Sequence, residues 1–521
     1  MTDRGRFNLW AAAVIAVLLA GLFFRFGGLD DRLFWHDEVY TKFFAAGRSS
    51  SDWQAVLYTG EVFSAADVQA LQRHDPSRSV LDTVRGLAAD EPQHPPLYYV
   101  LARLQVGLFG DGVGALRGLS AGLSLLALPL MFWLCVELFD DRRVGYVAVM
   151  LLAVSPFFVV YATEAREYAL WTVLTLASSA ALLRALRLTD AGARGLGRAW
   201  GLVSATVALS LYTSFSAAAV ILAQIGAVCA RARLRPTRGA LLAAGSMAVA
   251  ALLFLPWALV LLARYDAFAA SMAWSRTITI PRSELLTTLA VNASRTFVDV
   301  GPEVQGAGEA ALVAGLGLLL LGALIELGRR GPSHARVLVI ALVVVPISLL
   351  LVPDLVSLGI RSVSGRYLTP AWLGGLIAVA WLLGRQGPWR VARGGVLVVL
   401  LALSMGSCVR FMGDETVWSQ SISEQVPEAA RRIAESSAPL VVGNRELHYP
   451  GNLLALALLL DPAAKLQFAP LEGEYRLPDH PGDIYLFCPN APFRERLRAR
   501  EGVTTVLLLD HLHLQLWAVR R

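Results

Sequence analysis

The sequence has few charged residues, almost no lysine and few cysteines. Charged side chains make up 17% of the 521 residues and hydrophobic ones 56%, whereas soluble domains average about 25% charged and about 45–50% apolar. So few charges cannot cover several soluble domains, and so much apolar content excludes a disordered chain. The scattered cysteines form no Cys-x-x-Cys pair, which argues against a disulfide scaffold, a zinc site or a redox motif. They are Cys135, Cys229, Cys408 and Cys488.

The positive charge does not indicate a nucleic-acid partner. The net charge is +6, but the cations come in small groups between long apolar runs. Lys42 and Lys465 are the only lysines, and arginine supplies the other basic residues.

Eleven apolar runs predict a multi-span membrane protein. A hydrocarbon core of ~30 Å requires about 20 apolar residues in a helix. The first run is expected to be retained as a span, because no small-residue cleavage site precedes Arg25. The runs cover residues 8–26, 116–138, 143–161, 167–187, 199–214, 215–230, 240–262, 309–327, 336–353, 368–384 and 394–411.

The arginines predict the orientation of these spans. With the N-terminus and its Arg4 and Arg6 in the cytoplasm, every even-numbered connection carries an arginine group, as the positive-inside rule requires. The run 95–109 is then expected to lie in the outer interface, because a further crossing would invert all later loops. The arginine groups are Arg142/Arg143, Arg184/Arg187/Arg194/Arg198, Arg231/Arg233/Arg235/Arg238, Arg329/Arg330/Arg336 and Arg385/Arg390/Arg393.

The expected architecture is therefore mainly α-helical with two parts. Residues 1–411 form a polytopic membrane domain, in which 27–115 is a first extracytoplasmic loop with interfacial helices. After Phe411 the hydropathy falls, and 412–521 is expected to be a small extracytoplasmic α/β domain. Its predicted elements are a helix at Val426–Ala434 and strands at 440–442, Ile484–Phe487 and 504–509.

Four polar clusters fall on the predicted outer side. Each also has a simpler interpretation: a solvated loop, a helix cap, an interfacial aromatic anchor, a snorkelling arginine or a salt bridge. Together, acids and phosphate-binding cations at one membrane face suit transfer from a lipid-linked phosphate, since a carboxylate accepts the proton of an attacking hydroxyl and cations stabilise the leaving phosphate. The clusters contain Asp37 and Glu38; His94; Glu164, Arg166 and Tyr168; and Arg361, Arg366 and Tyr367.

The order of several short motifs resembles that of the bacterial glycosyltransferases of GT-C fold. The family 39-like set, which includes protein O-mannosyltransferases and lipid A aminoarabinose transferases, is the most similar group. The resemblance covers about residues 8–220 and weakens afterwards. The motifs are an acidic pair after the first span, H-P-P-L-Y-Y at 94–99, R-x-x-S-A at 117–121, E-A-R-x-Y at 164–168 and G-R-Y-L-x-P at 365–370.

This resemblance implies inverting transfer from a polyprenyl-phosphate-linked sugar to a cell-envelope acceptor, at the outer face of a bacterial cytoplasmic membrane. Asp37 is the implied catalytic acid/base, with Glu38 beside it and Glu164 at a second acidic position. His94, Arg366 and Tyr367 are implied near the donor phosphate. Further substrate-binding candidates within the matched motifs are Arg117, Arg166 and Tyr168. No convincing ligand set predicts a metal ion or another cofactor.

Three other classes of protein remain open, one of which is a non-catalytic receptor-like protein whose outer domain would matter and whose Asp37 would not. A transporter or lipid flippase would favour charged residues near the middle of its spans, and here the polar clusters sit at the outer edge. An O-antigen polymerase or ligase is also multispanning, but its large outer loop lies late in the chain and it lacks an acidic pair directly after the first span.

The orientation is testable with reporter fusions at Gly192, Gly331 and Gly473. We expect cytoplasmic signals at Gly192 and Gly331 and an outside signal at Gly473, because the arginine groups fall on one side. An outside signal at Gly192 or Gly331 would contradict the eleven-span arrangement.

Overall fold

The computed structural model describes most of the chain. The side chains of residues 3–9 and of Thr277 fall outside this description, so the structure does not test the predicted role of Arg4 and Arg6. The described ranges are 3–301, 304–357, 359–444, 449–470 and 475–520.

The chain divides into two compact units, each built from separate stretches of sequence. The first comprises residues 1–27, 91–98 and 117–413, and the second comprises the rest. Most of the predicted first loop, 27–115, therefore belongs to the same compact unit as the C-terminal segment. The assignment of residues 1–411 to a membrane domain and of 412–521 to an outer domain stays a prediction.

Helices dominate the described residues. Two short 3-10 helices, Gly365–Leu368 and Trp418–Ser423, supplement the α-helices. The α-helices are α1 (Asp3–Phe26), α2 (His36–Ala45), α3 (Ser50–Leu57), α4 (Ala65–Ala70), α5 (Val80–Asp90), α6 (Leu97–Phe109), α7 (Val113–Phe139), α8 (Arg142–Val154), α9 (Pro156–Ala162), α10 (Tyr168–Asp190), α11 (Leu196–Leu211), α12 (Ala217–Ala232), α13 (Arg238–Ala263), α14 (Tyr265–Ser271), α15 (Trp274–Thr277), α16 (Arg282–Ser294), α17 (Gly306–Arg330), α18 (Ser333–Ser357), α19 (Thr369–Gly384), α20 (Arg390–Met412), α21 (Val426–Ala434), α22 (Pro450–Leu459) and α23 (Ala491–Glu501).

The helices confirm a mainly helical, multi-span membrane fold. Within the described residues, seven helices are long and apolar enough to span a bilayer, and the bent pair α8–α9 makes eight if it counts as one span. Every predicted apolar run overlaps one of the helices. The count of eleven spans stays a prediction, because the described part of α1 and helices α11 and α12 are shorter than a full span. The seven are α7, α10, α13, α17, α18, α19 with the 3-10 turn before it, and α20.

The run 143–161, predicted as one continuous span, is broken. Helices α8 and α9 meet at an angle of 59°, with Ser155 in an extended conformation between them and Pro156 as the first residue of α9. Proline carries no backbone N–H, so the carbonyl of Leu152, four residues earlier, loses its helical donor. The prediction of a continuous helix was wrong because the run is apolar throughout and the proline signal was not weighed.

Side chains from distant helices satisfy the carbonyls that the break exposes. Arg25 is almost completely buried; its Nη2 donates to the Leu152 oxygen at 3.1 Å and its Nη1 donates to the Ala153 oxygen. The Cys408 thiol donates to the Val154 oxygen at 3.3 Å. Because lipid offers no hydrogen bonds, each unsatisfied carbonyl at this depth would cost several kcal/mol.

A close helix approach brings Arg25 to the break. Gly21 of α1 faces α8, and a Cβ at this position would lie 2.5 Å from the Ala153 oxygen, so only glycine allows the two helices to pack this tightly. The Arg25 guanidinium is further held by the Gly21 oxygen at 2.9 Å and the Ser124 hydroxyl at 3.1 Å.

The second unit contains a six-stranded mixed sheet. Its strand order is β1-β3-β2-β4-β6-β5; β2 runs parallel to β3 and β4, and the other pairs are antiparallel. The predicted small C-terminal sheet and the helix α21 are therefore confirmed, while β1, β3 and β6 were not predicted. The strands are β1 (Val62–Ser64), β2 (Leu440–Gly443), β3 (Lys465–Phe468), β4 (Ile484–Phe487), β5 (Thr504–His511) and β6 (Leu514–Arg520).

Replacing Arg25 tests whether its hydrogen bonds to the exposed carbonyls of α8 stabilise the broken span. Arg25→Met keeps much of the apolar stem but removes the donors, and a buried acceptor without a partner costs about 1–3 kcal/mol. We expect a loss of roughly 2–5 kcal/mol in the free energy of unfolding in mixed micelles. The control Arg194→Met, at an exposed loop position, should leave it unchanged; equal stability of the two variants would contradict the capping role.

Candidate active site

Asp37 and Glu38 belong to the second unit, in the first turn of α2. Trp35 is the N-cap residue, with an extended backbone, so the simpler interpretation of Asp37 as a helix cap is excluded. Carboxylates are favoured here because the N-terminal end of a helix carries a partial positive charge. Glu38 is fully buried, whereas Asp37 is half-buried. The two acids therefore lie in different environments, and Asp37 is the more accessible one.

The remaining predicted site residues belong to the first unit. The loop 163–167 connects α9 to α10 and carries Glu164 and Arg166, both of which are buried. Tyr168, also buried, opens α10. Helix α9, which follows the break, thus places the E-A-R-x-Y motif at the start of the next span, α10.

Glu167, which was not predicted as a site residue, joins the predicted cations. Its Oε1 lies 3.3 Å from His94 Nδ1, and its Oε2 lies 3.3 Å from Arg166 Nε. Burial by itself would raise the pKa of Glu167, but Arg166 and the hydrogen bond with His94 outweigh burial and lower the pKa to about 2. The signal that was overlooked is its position: Glu167 is an acid at the very start of the apolar run 167–187, and acids are enriched where helices begin.

The R-x-x-S-A motif supports the same loop from α7. Arg117 is almost completely buried, and Ser120 follows it by one helical turn on the same face. The Ser120 hydroxyl donates to the Arg166 carbonyl oxygen at 3.2 Å and lies 2.7 Å from the Tyr98 hydroxyl. The motif therefore binds the backbone of the acidic loop to α7.

Arg366 and Tyr367 lie in the short 3-10 helix that ends a second loop, between α18 and α19, and this loop is anchored on three sides. The buried Asp354 accepts hydrogen bonds from the backbone and side chain of Ser362 at 2.7 and 2.9 Å. Trp372 donates to the Gly365 oxygen at 2.9 Å, and Asn292 donates to the Val363 oxygen at 2.7 Å.

The two arginines of this loop, Arg361 and Arg366, differ in their surroundings. Arg361 forms an ion pair with Asp354 at 2.8 Å, as the simpler interpretation predicted for it. The Arg366 guanidinium carbon lies 5.9 Å from the ring centre of Tyr168 and 5.4 Å from that of Tyr367. These are cation–π distances, and they place Arg366 beside the start of α10.

Arg295 connects the two loops. Its carbonyl oxygen accepts the N–H of Phe157, in the first turn of α9, at 3.0 Å. Its Nη1 donates to Asn292 Oδ1 at 2.6 Å, and Asn292 in turn holds the Val363 carbonyl. Arg295 thus holds α9 through its backbone carbonyl, and it holds the loop that carries Arg366 through its side chain and Asn292.

The first unit therefore contains seven of the nine predicted site residues, and His94, Arg166 and Arg366 lie around the start of α10; the individual roles of the seven remain predictions. Across the residues that the structure describes, no three His, Cys, Asp or Glu side chains are grouped as metal ligands. The seven are His94, Arg117, Glu164, Arg166, Tyr168, Arg366 and Tyr367.

The pH dependence of stability tests the environment of Glu167, which lies outside the span that begins at Tyr168. Since its pKa falls from 4.5 to about 2 on folding, the ionised carboxylate stabilises the protein at pH values above 4.5 and loses this effect as the pH falls through 2. A tenfold change in a protonation constant corresponds to about 1.4 kcal/mol, so Glu167→Gln should lower the free energy of unfolding at pH 7 by roughly 3 kcal/mol. The difference in the free energy of unfolding between Glu167→Gln and the parent should become smaller below pH 4.5.

The matched control for that measurement is Glu435→Gln, at an exposed position, which should produce no such pH-dependent difference. A difference between Glu167→Gln and the parent that stays constant from pH 7 to pH 3 would contradict the assignment.

Comparison with known proteins agrees with these observations. A family model described as dolichyl-phosphate-mannose-protein mannosyltransferase matches residues 93–260, which include His94, Arg117 and the E-A-R-x-Y motif. No curated protein matches the chain by sequence.

Two crystal structures of ArnT from Cupriavidus metallidurans share the fold along nearly the whole length of both chains. The structure bound to undecaprenyl phosphate has a TM-score of 0.54 at 13% identity and covers 99% of this chain and 98% of that one. The apo structure has a TM-score of 0.53 at 14% identity, with 98% of each chain covered. The motif-based expectation is therefore confirmed: the chain is a membrane glycosyltransferase of GT-C fold, similar to the family 39-like set.

Proposed function

We propose that this enzyme transfers a sugar, with inversion, from a polyprenyl-phosphate-linked donor to a cell-envelope glycan, lipid or protein. The observation that carries the proposal is the group of His94, Arg166 and Arg366 around the buried start of α10. Cations held at the end of membrane spans suit a ligand whose phosphate lies at the membrane surface and whose chain lies in the lipid. The similarity to an ArnT structure that holds undecaprenyl phosphate supports the same donor class.

Arg366 and His94 are proposed to bind the donor phosphate. A guanidinium contacts two phosphate oxygens at once and stays charged at all relevant pH values. The rings of Tyr168 and Tyr367 restrict the position of Arg366, so little side-chain entropy is lost when the phosphate binds. Arg117 and Arg166 are proposed as further substrate-binding residues.

Asp37 is proposed as the base of the transfer step. The acceptor hydroxyl oxygen attacks the anomeric carbon from the face opposite the phosphate, while its proton passes to the Asp37 carboxylate. The bond between the anomeric carbon and the phosphate oxygen breaks, and polyprenyl phosphate leaves with the electron pair. The phosphate-binding cations stabilise the charge that develops on this leaving group.

Glu38 and Glu164 are the further catalytic candidates. Glu38 is buried in the first turn of α2 and directly follows Asp37. Glu164 lies in the loop that also carries Arg166. The reaction is proposed to occur at the outer face of a bacterial cytoplasmic membrane, with the C-terminal segment on the same side.

Substituting Asp37 tests the role of base. Asp37→Asn keeps the shape of the side chain but removes the proton acceptor, and a general base contributes about 10²–10⁴-fold to rate. We expect turnover of an undecaprenyl-phosphate-linked sugar by the purified enzyme to fall by a factor in this range, with unchanged thermal stability. Glu38→Gln is measured alongside, and the exposed first-loop acid Asp31 supplies the control Asp31→Asn.

The same assay separates the rival classes. A glycosyltransferase of the proposed kind releases undecaprenyl phosphate and glycosylated acceptor in equal amounts. A flippase instead moves the donor intact, and a polymerase extends lipid-linked glycan chains. Full turnover by Asp37→Asn, Glu38→Gln and the double variant would rule out these acids as the base.

A further inference from the structure

The first unit contains a basic cavity that the proposed reaction does not use. It lies where α17 ends and where the loop between α19 and α20 turns, and its volume is about 460 Å³. Arg330 comes from the end of α17, Arg385 follows α19, and Arg393 lies in the first turn of α20. Three elements thus bring three guanidinium groups to one cavity.

The charges in this cavity are not balanced. Glu326 is the acidic residue of the lining, and it forms ion pairs with Arg385 and with Arg330, the latter at 3.3 Å. Arg393 instead donates to the carbonyl oxygen of Arg385 at 3.2 Å. Three guanidinium groups against one carboxylate leave two positive charges uncompensated, and their mutual repulsion favours binding of an anion.

Large apolar side chains at and beside the cavity are exposed. Trp389 lines the cavity and is 69% exposed, and tryptophan is enriched at the level of lipid headgroups. Val391, two residues later, is 89% exposed and continues into the apolar surface of α20. An anionic group in the cavity would therefore have acyl chains beside it.

We propose that this cavity binds the phosphate of an anionic phospholipid headgroup. The phosphate sits between Arg393 and the Glu326-paired arginines, Trp389 packs at the glycerol level, and the acyl chains run along α20. Basic pockets between membrane helices bind anionic headgroups by the same combination of charge and apolar contact. The site is independent of the proposed sugar transfer, because it shares no residue with the candidate active site.

The test uses the purified full-length protein, with native mass spectrometry to count the lipid retained from micelles that contain phosphatidylglycerol or phosphatidylcholine. The parent should retain phosphatidylglycerol in preference. Arg393→Gln should weaken this retention about tenfold, because it removes a charge-assisted contact. The matched control is Arg390→Gln, which removes the same charge three residues earlier, at an exposed position outside the cavity lining, and should retain the lipid like the parent.

Arg393→Lys is a second variant in case the glutamine variant does not fold. It should retain the preference for phosphatidylglycerol with weaker binding, since an ammonium cannot make the bidentate contact. Equal retention by Arg393→Gln and Arg390→Gln, or equal retention of the two lipids by the parent, would overturn the proposal. If inorganic phosphate stabilises the parent and the parent shows no preference between the two lipids, the cavity binds a soluble anion. That result would also overturn the proposal.

Discussion

The candidate site depends on a membrane span that stops being a helix at Ser155. Inside a bilayer, backbone groups without hydrogen-bond partners are strongly destabilising, so the chain can leave the helix only where other groups replace the lost bonds. Arg25 and Cys408 supply donors for three successive carbonyls of α8, and Arg295 accepts the N–H of Phe157 on the other side of the break. These contacts allow the chain to turn by 59° between α8 and α9. Helix α9 then leads directly into the loop 163–167.

Arg295, which contacts α9 just after the break, also holds the loop that carries Arg366. Through Asn292 it holds the Val363 carbonyl, and its Nε lies 3.3 Å from the buried Asp299. A buried polar network of this kind is stable only when its members are satisfied together. The positions of the acidic loop and of the Arg366 loop are therefore coupled, as a phosphate bound between His94 and Arg366 would require.

Much of this arrangement could be predicted from the sequence, and the failures share a cause. Each apolar run found by hydropathy overlaps a helix, local patterns located α21, β2 and β4, and short motifs singled out Arg366 and Tyr168, which the structure places together. The break at Pro156 was missed because the proline signal was not weighed, and the groups that stabilise the break lie more than a hundred residues away along the chain. Strands β1 and β3 were missed because their pairing is non-local, and Glu167 because its partner His94 lies in a different segment.

The positioning of the Arg366 loop by Asn292 and Arg295 is tested most directly by the affinity for undecaprenyl phosphate of Asn292→Asp, Arg366→Gln and the double variant. Aspartate at position 292 still accepts from Arg295 but cannot donate to Val363, so it should release the Arg366 loop without removing a phosphate contact. The account predicts that both single variants bind more weakly than the parent and that the double variant is no weaker than Arg366→Gln alone. Unchanged binding by Asn292→Asp, or losses in the two single variants that add in the double variant, would contradict it.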